Sequence, residues 1–245
     1  MTDIEVTSAQ TESINVDQTE IAQFDKQATD WWDPEGPMKM LHAINPLRMS
    51  FILEMTELAD KNVLDIGCGA GILTETLALH QAKVLGIDLA QEVLDNASEH
   101  AQSLPTPPSY QKISAESLAE SHSAFYDVIT CLECLEHVPD PASILKACAQ
   151  LLKPNGILFL STLNRTPTAY IQAILAAEYL LNWVPRGTHH YDRFIKPHEL
   201  VQAAQEAGLT LKKMAGIKYH PLTKTFTLSR KVSVNYLICF QKICI

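Results

Sequence analysis

The chain has 245 residues, 47% of them hydrophobic and 19% charged, a composition typical of a globular protein with room for one substantial α/β domain. Its formal net charge of −9 at pH 7 argues against a nucleic-acid-binding role, because neutralising phosphates requires a basic surface. The six cysteines lack the spacing of a disulfide framework, and no secretory signal or membrane span is expected, so we predict a cytoplasmic protein, at most peripheral on a membrane.

The N-terminal part is predicted to be helical after a polar, acidic tail. Residues 1–15 show no periodicity and are expected to be disordered. A first helix is predicted over Glu20–Trp32. A second is predicted to start at Asn45 as the N-cap, with Pro46 in the first turn. Residues 16–60 would then form a helical cap.

From residue 61 onward, short apolar segments alternate with helical patterns. Strands are predicted at Val63–Ile66, Lys83–Ile87, Tyr110–Ile113, Tyr126–Cys131 and Ile157–Ser161. Helices are predicted between them at Ile72–Leu79, Gln91–Ala101 and Ala142–Leu152, with a turn at 153–156. This alternation predicts βαβ units, and therefore an α/β domain over 61–245 with a Rossmann-like, mostly parallel sheet and helices on both faces.

The C-terminal part departs from the alternation. An insertion at 165–195 comes first, followed by a predicted helix over Lys196–Ala207. The segments Leu209–Tyr219 and Val232–Lys242 then look like a late strand pair. We therefore expect the parallel sheet to be closed by a C-terminal antiparallel strand.

The most informative stretch reads LDIGCGAG. It places Asp65 in a strand, ahead of the alternating glycines Gly67, Gly69 and Gly71 and a following helix. Such a turn exposes backbone N–H groups at a helix N-terminus to a ligand. A dinucleotide fingerprint needs glycine at the sixth position, where this chain has Ile72. The turn instead resembles the S-adenosylmethionine (SAM) turn of class I methyltransferases, in which Gly67 and Gly69 would let the backbone approach the methionine part.

Two further positions fit a nucleoside ligand. Asp88 ends the second predicted strand, where its carboxylate can accept hydrogen bonds from both ribose hydroxyls. It can also cap the following helix, and acids at this place serve NAD and SAM alike. Leu132 ends the fourth strand and is expected near the ribose and adenine, although an ordinary core leucine fits the pattern equally well.

Glu133, Glu136 and His137 follow the fourth strand, at the sheet edge where open α/β sheets bind ligands. They can hold a hard divalent cation such as Mg²⁺ through oxygen. Alternatively, His137 with Glu136 can act as a base beside a methyl acceptor. Either would help a phenol, with its pKa of roughly 10, to react as a nucleophile. The residues can also be only a turn, and the choice between metal and base stays open.

The insertion carries an amphipathic helical pattern over Thr168–Val184. Tyr170, Ile174 and Leu181 share one face, and several cations lie nearby. An apolar face flanked by cations suits an interfacial membrane helix. A helix packed on its own domain or on a second subunit would show the same pattern.

The chain closely resembles one family, the ubiquinone-biosynthesis O-methyltransferases, over about 21–242. Family-specific segments accompany the SAM turn, namely Trp31-Trp32-Asp33, Ile44-Asn45-Pro46-Leu47-Arg48, Glu133-x-x-Glu136-His137-Val138-Pro139, Ser161-Thr162-Leu163-Asn164-Arg165 and Val234-Asn235-Tyr236. The resemblance implies SAM-dependent methylation of ring hydroxyls on 2-polyprenyl-6-hydroxyphenol and 3-demethylubiquinol.

The resemblance also implies roles for particular positions. Arg48 would pair with the cofactor carboxylate, and Gly67, Asp88 and Leu132 would complete the SAM contacts. Glu133, Glu136 and His137 match the positions assigned to a divalent ion in mitochondrial members.

The same resemblance also implies what the protein binds. The partners are a polyprenylated phenol or quinol, the inner membrane through about 166–190, and a ubiquinone-biosynthesis complex. The alternatives are a SAM methyltransferase acting on a soluble small molecule, or a non-catalytic SAM-binding scaffold.

Overall fold

A computed structural model describes residues 15–171, 191–220, 222–223 and 225–243. Its strands are β1 Asn62–Ile66, β2 Lys83–Asp88, β3 Ser109–Lys112, β4 Tyr126–Leu132, β5 Leu152–Leu163, β6 Leu209–His220, β7 Thr225–Ser229 and β8 Asn235–Lys242. Its α-helices are α1 Gln18–Asp25, α2 Lys39–Met55, α3 Ile72–Leu79, α4 Gln91–Ala101, α5 Ala115–Ala119, α6 Pro141–Leu151, α7 Pro167–Ala169 and α8 Pro197–Glu206.

The strands form one mixed sheet in the order β3-β2-β1-β4-β5-β8-β6-β7. Pairing is parallel from β3 through β5 and antiparallel from β5 through β8 and β6 to β7. The predicted α/β sheet with antiparallel closure is confirmed, whereas strand β7 was not predicted. The strand order reverses between β1 and β4, and open α/β sheets bind ligands beyond the carboxyl ends of the strands at such a point.

Helices cover both faces of the sheet, as predicted. Successive residues of β1 point to opposite faces. Val63 packs with Phe51 of α2 on one side, and Leu64 packs with Leu145 of α6 on the other. Both β1 residues are fully buried. This two-sided burial explains why the parallel strands read as continuous apolar runs.

The N-terminal helices differ from the prediction. The first helix is shorter, with α1 ending at Asp25 and a separate 3₁₀ turn at Ala28–Asp30. Helix α2 begins at Lys39, six residues before the predicted cap, so Pro46 lies inside it. Asn45 does not cap α2. Its amide donates hydrogen bonds to the Ile72 carbonyl and Thr76 hydroxyl of α3, at 3.1 and 2.9 Å. Packing of α2 on the sheet offsets the backbone hydrogen bond that Pro46 cannot make.

Two other predicted features have specific outcomes. The turn at 153–156 lies within β5 as a bulge, because pairing passes from Tyr126↔Leu152 to Val128↔Ile157. Residues 1–14 and most of the insertion, 172–190, lie outside the described residues. In the part of the chain that is described, no helix is long and apolar enough to cross a membrane.

Candidate active site

A cavity of about 670 Å³ opens at the carboxyl ends of the central strands. Its floor includes Asp65 of β1, Asp88 of β2 and Leu132 of β4. The lid is helix α1, which contributes Glu20 and Phe24. The walls are mostly apolar. All of the site residues predicted from the sequence line this one cavity, namely Arg48, Gly67, Gly69, Asp88, Leu132, Glu133, Glu136 and His137.

The glycine turn has the left-handed backbone that its residues favour. Gly69 and Gly71 have φ angles of 54° and 89°. A Cβ on Gly69 would lie 2.3 Å from the Trp31 ring, and one on Gly71 would lie 2.2 Å from the Tyr110 hydroxyl oxygen. The glycines are therefore required by neighbouring aromatic side chains as well as by the backbone conformation.

Asp88 joins the second strand to the glycine turn. One carboxylate oxygen accepts from the Gly69 N–H at 3.0 Å, and the other accepts from the N–H groups of Leu89 and Ala90 at 2.7 and 3.0 Å. A carboxylate has about four acceptor positions, so at least one remains for a hydroxyl. Burial raises the pKa of Asp88, while these hydrogen bonds oppose the rise. Its placement is compatible with the predicted ribose contact.

Arg48 supplies a cation with unused hydrogen-bonding capacity. Its side chain is only 5% exposed, and its Nε and Nη2 have no hydrogen-bond partner among the described residues. The Glu133 Oε1 atom lies 3.4 Å from Nη2, an ion-pair distance without hydrogen-bond geometry. Buried polar groups normally find partners. The arginine therefore fits an anionic ligand group such as the carboxylate of SAM.

Asp65 belongs to the site, although the sequence did not indicate a role for it there. It is 3% exposed and accepts hydrogen bonds from the hydroxyls of Thr74 and Thr130, at 2.6 and 2.7 Å. Burial raises its pKa to about 6, against the effect of these hydrogen bonds and of Arg48. Asp65 thus holds a proton over a pH range in which an ordinary aspartate is ionised.

The raised pKa of Asp65 predicts that SAM binding depends on pH. We expect the positively charged sulfonium and amino groups of SAM to favour ionised Asp65. The proton must then leave on binding, so affinity should rise as pH increases through about 6 and level off above it. Calorimetric titrations between about pH 5 and pH 8 measure this. Asp65→Asn should remove the dependence, and a dependence that persists in the variant would contradict the assignment.

Each of the three residues Glu133, Glu136 and His137 contacts a different side chain of this protein. Glu133 accepts from the Ser161 hydroxyl at 2.8 Å, and the buried Glu136 accepts from the Thr162 hydroxyl at 2.8 Å. Burial, reinforced by Glu133, raises the pKa of Glu136. Over the described ranges, no three His, Cys, Asp or Glu side chains are grouped to hold a metal ion. Each of the three side chains is directed at its own partner, and the Mg²⁺ role stays a prediction.

His137 faces the cavity from the 3₁₀ turn Leu135–His137. Its Nδ1 lies 3.1 Å from Glu20 Oε2, and the Phe24 ring meets it edge-on with ring centroids 5.2 Å apart. Burial lowers the pKa of His137, but the hydrogen bond to Glu20 and the charges of Glu136, Glu20 and Glu133 together raise it above its ordinary value. The imidazole thus lies in the cavity in surroundings that favour its protonated form.

Comparison with known proteins agrees with this geometry. A family model described as a methyltransferase domain matches residues 40–213. A SAM-dependent methyltransferase from Methanosarcina mazei superposes with a TM-score of 0.60 at 22% identity, covering 80% of this chain and 98% of that one. Magnesium protoporphyrin IX methyltransferase from Synechocystis, solved with bound SAM, gives 0.62 at 16% identity, covering 90% and 91%. Fold, site and family model define a SAM-dependent methyltransferase.

Relatives with higher identity name the family. The ubiquinone biosynthesis O-methyltransferase of Methylococcus capsulatus is 51% identical over 228 residues, covering 93% of this chain and 96% of that protein. The one from Pseudoalteromonas translucida is 50% identical over 234 residues, covering 95% and 99%. The chain belongs to the ubiquinone biosynthesis O-methyltransferases, which confirms the resemblance drawn from its motifs.

Proposed function

We propose that this cavity transfers a methyl group from SAM to a ring hydroxyl of a polyprenylated catechol or demethylubiquinol. The observation that carries the proposal is the presence of Arg48 and His137 on one apolar cavity. The first has unused donors for the carboxylate of the methyl donor, and the second is a base for the acceptor. SAM supplies an electrophilic methyl group on a positively charged sulfur.

The residues of this chain bind, orient and move a proton. Arg48 and Asp88 fix the two ends of the methyl donor, and Leu132 packs between them. The acceptor oxygen would bond to the methyl carbon as its proton passes to His137 Nε2. The methyl–sulfur bond would break with its electron pair remaining on sulfur, which leaves as a neutral thioether. Alignment of the reacting atoms lowers the activation barrier by several kcal/mol, and by about 7–11 kcal/mol in ideal cases.

An apolar wall supports a prenylated acceptor. Ile217 and Tyr219 of β6 and Phe226 of β7 line the cavity, and Tyr219 and Phe226 pack with ring centroids 4.9 Å apart. Burying an alkyl group is worth about 0.8 kcal/mol per CH₂, so even one isoprene unit gains much from this wall. Strand β7, at the edge of the sheet, thereby helps to bind the prenyl tail.

A tail-length comparison tests the acceptor. We expect a short-tailed polyprenyl catechol to be methylated with a kcat/KM at least roughly tenfold above that of catechol itself, from the burial energy of one isoprene unit. Steady-state kinetics with both acceptors measure this. Equal kcat/KM values would favour the alternative, a methyltransferase for soluble small molecules.

We also propose peripheral contact with the inner membrane through about 166–190, bringing the enzyme to its lipid substrate and to a ubiquinone-biosynthesis complex. Support comes from the start of this segment, where Tyr170 and Ile171 are 42% and 56% exposed. Apolar side chains beside cations suit a lipid interface.

Co-sedimentation with anionic lipid vesicles tests the contact. We expect wild-type protein to pellet with the vesicles, and a Tyr170→Ser/Ile171→Ser variant to lose at least half of the bound fraction, because apolar burial drives interfacial binding. Leu79→Ser is the matched control, since Leu79 is 59% exposed on α3. Equal pelleting of all three proteins would contradict the membrane assignment.

A further inference from the structure

His137 is held by a residue from a distant part of the chain. Glu20 of the lid helix α1 approaches the ring, with 3.1 Å between Glu20 Oε2 and His137 Nδ1. The two side chains are 13% and 15% exposed, so little water competes for the contact. Among the described residues Glu20 is the one hydrogen-bond partner found for the His137 ring, through Nδ1, which leaves Nε2 for the cavity.

The chemistry of this contact determines which ring nitrogen can act. Glu20 also accepts from Arg193 through Oε1, and a carboxylate paired with arginine in this way can only accept hydrogen bonds. Nδ1 must then carry the proton of the hydrogen bond. In the neutral imidazole this leaves the lone pair on Nε2. A carboxylate in this place also stabilises the imidazolium that forms when Nε2 takes a proton.

Glu20 is itself fixed in position. Its Oε1 accepts from Arg193 Nη1 at 2.9 Å, and Arg193 Nη2 donates to Asp17 at 2.8 Å. Arg193 lies near the end of the insertion 165–195, so helix α1 is tied to that part of the chain. Asp17 makes the same kind of contact with Arg193 but does not touch His137, which makes it a matched control.

We propose that Glu20 is a positioning residue that holds His137 in the tautomer needed for proton abstraction from the acceptor hydroxyl. This inference rests on the proposed function, in which His137 is the base. The proton of the hydroxyl goes to Nε2, the O–H electron pair stays on the attacking oxygen, and Glu20 remains ionised throughout.

The test compares Glu20→Gln, Asp17→Asn and His137→Ala, together with the double variant Glu20→Gln/His137→Ala. We expect Glu20→Gln to lower kcat about 10- to 100-fold, the size of effect known for residues that orient metal-ligating histidines, with SAM affinity unchanged. Asp17→Asn should keep kcat within about twofold, since asparagine also serves as an N-cap. In the His137→Ala background, the Glu20 change should lower kcat no further, because its effect passes through His137.

Each remaining outcome overturns one of the two claims. A Glu20→Gln enzyme that behaves like Asp17→Asn, that loses SAM affinity together with kcat, or that loses the same factor in the His137→Ala background would show that Glu20 only fastens the lid. If His137→Ala keeps wild-type kcat, the base assignment falls, and the positioning role falls with it. Thermal unfolding of every variant separates these results from misfolding.

Discussion

His137→Ala is expected to lower kcat by about 10²- to 10⁴-fold, the usual contribution of general acid–base catalysis. The imidazole lies in the cavity with Nδ1 bound to Glu20, and His137 is the one histidine among the described residues that line the cavity. SAM affinity should change by less than about threefold, because the base touches the acceptor side. Single-turnover rates and calorimetric SAM titrations measure the two effects separately.

A histidine elsewhere on the surface is the control. His122 packs against Phe125, outside the cavity, and His122→Ala should keep full activity. An equal loss of turnover and SAM affinity in His137→Ala would contradict the assignment and indicate a structural histidine.

Arg48→Met is expected to weaken SAM binding by about 2–5 kcal/mol, which corresponds to roughly 30-fold or more in Kd. Methionine keeps much of the side-chain volume but removes the buried guanidinium, whose Nε and Nη2 have no hydrogen-bond partner among the described residues. SAM would then bury its carboxylate without a cation. Calorimetry gives the change in affinity, and thermal unfolding without SAM shows whether the fold is intact.

The matched control is Arg165→Met. Arg165 pairs with Glu199 and does not line the cavity, so SAM affinity should be unchanged. If Arg48→Met binds SAM as tightly as wild-type protein, the carboxylate lies elsewhere and the orientation of the methyl donor must be revised.

Features encoded by local spacing were predictable. The strand–turn–helix around Gly69 and the acid at Asp88 depend on residues close together in sequence, and the structure places both on the cavity. Strand β7 could also have been predicted, because its TFTLS segment alternates polar and apolar residues as a half-buried strand does. The start of α2 was missed because a cap-like Asn45-Pro46 pair is tolerated inside a helix that packs well.

Features that depend on tertiary contact were not predictable. Glu20 is separated from His137 by 117 positions, and nothing in its own helix indicates which side chain it will meet. The raised pKa of Asp65 comes from burial, which its local sequence does not reveal. The hydrogen-bond partners of Glu133 and Glu136 were not predictable either, because only the folded chain shows that the turn after β4 directs them toward the hydroxyls of β5.

The measurement that tests the central claim most directly is methyl transfer by the purified full chain. The enzyme is incubated with SAM labelled on its methyl group and a polyprenyl catechol, and the product is identified by mass spectrometry. We predict the label on a ring oxygen, with the reaction strongly reduced in His137→Ala. Absence of transfer by folded, SAM-binding protein, or a label on a ring carbon, would contradict it.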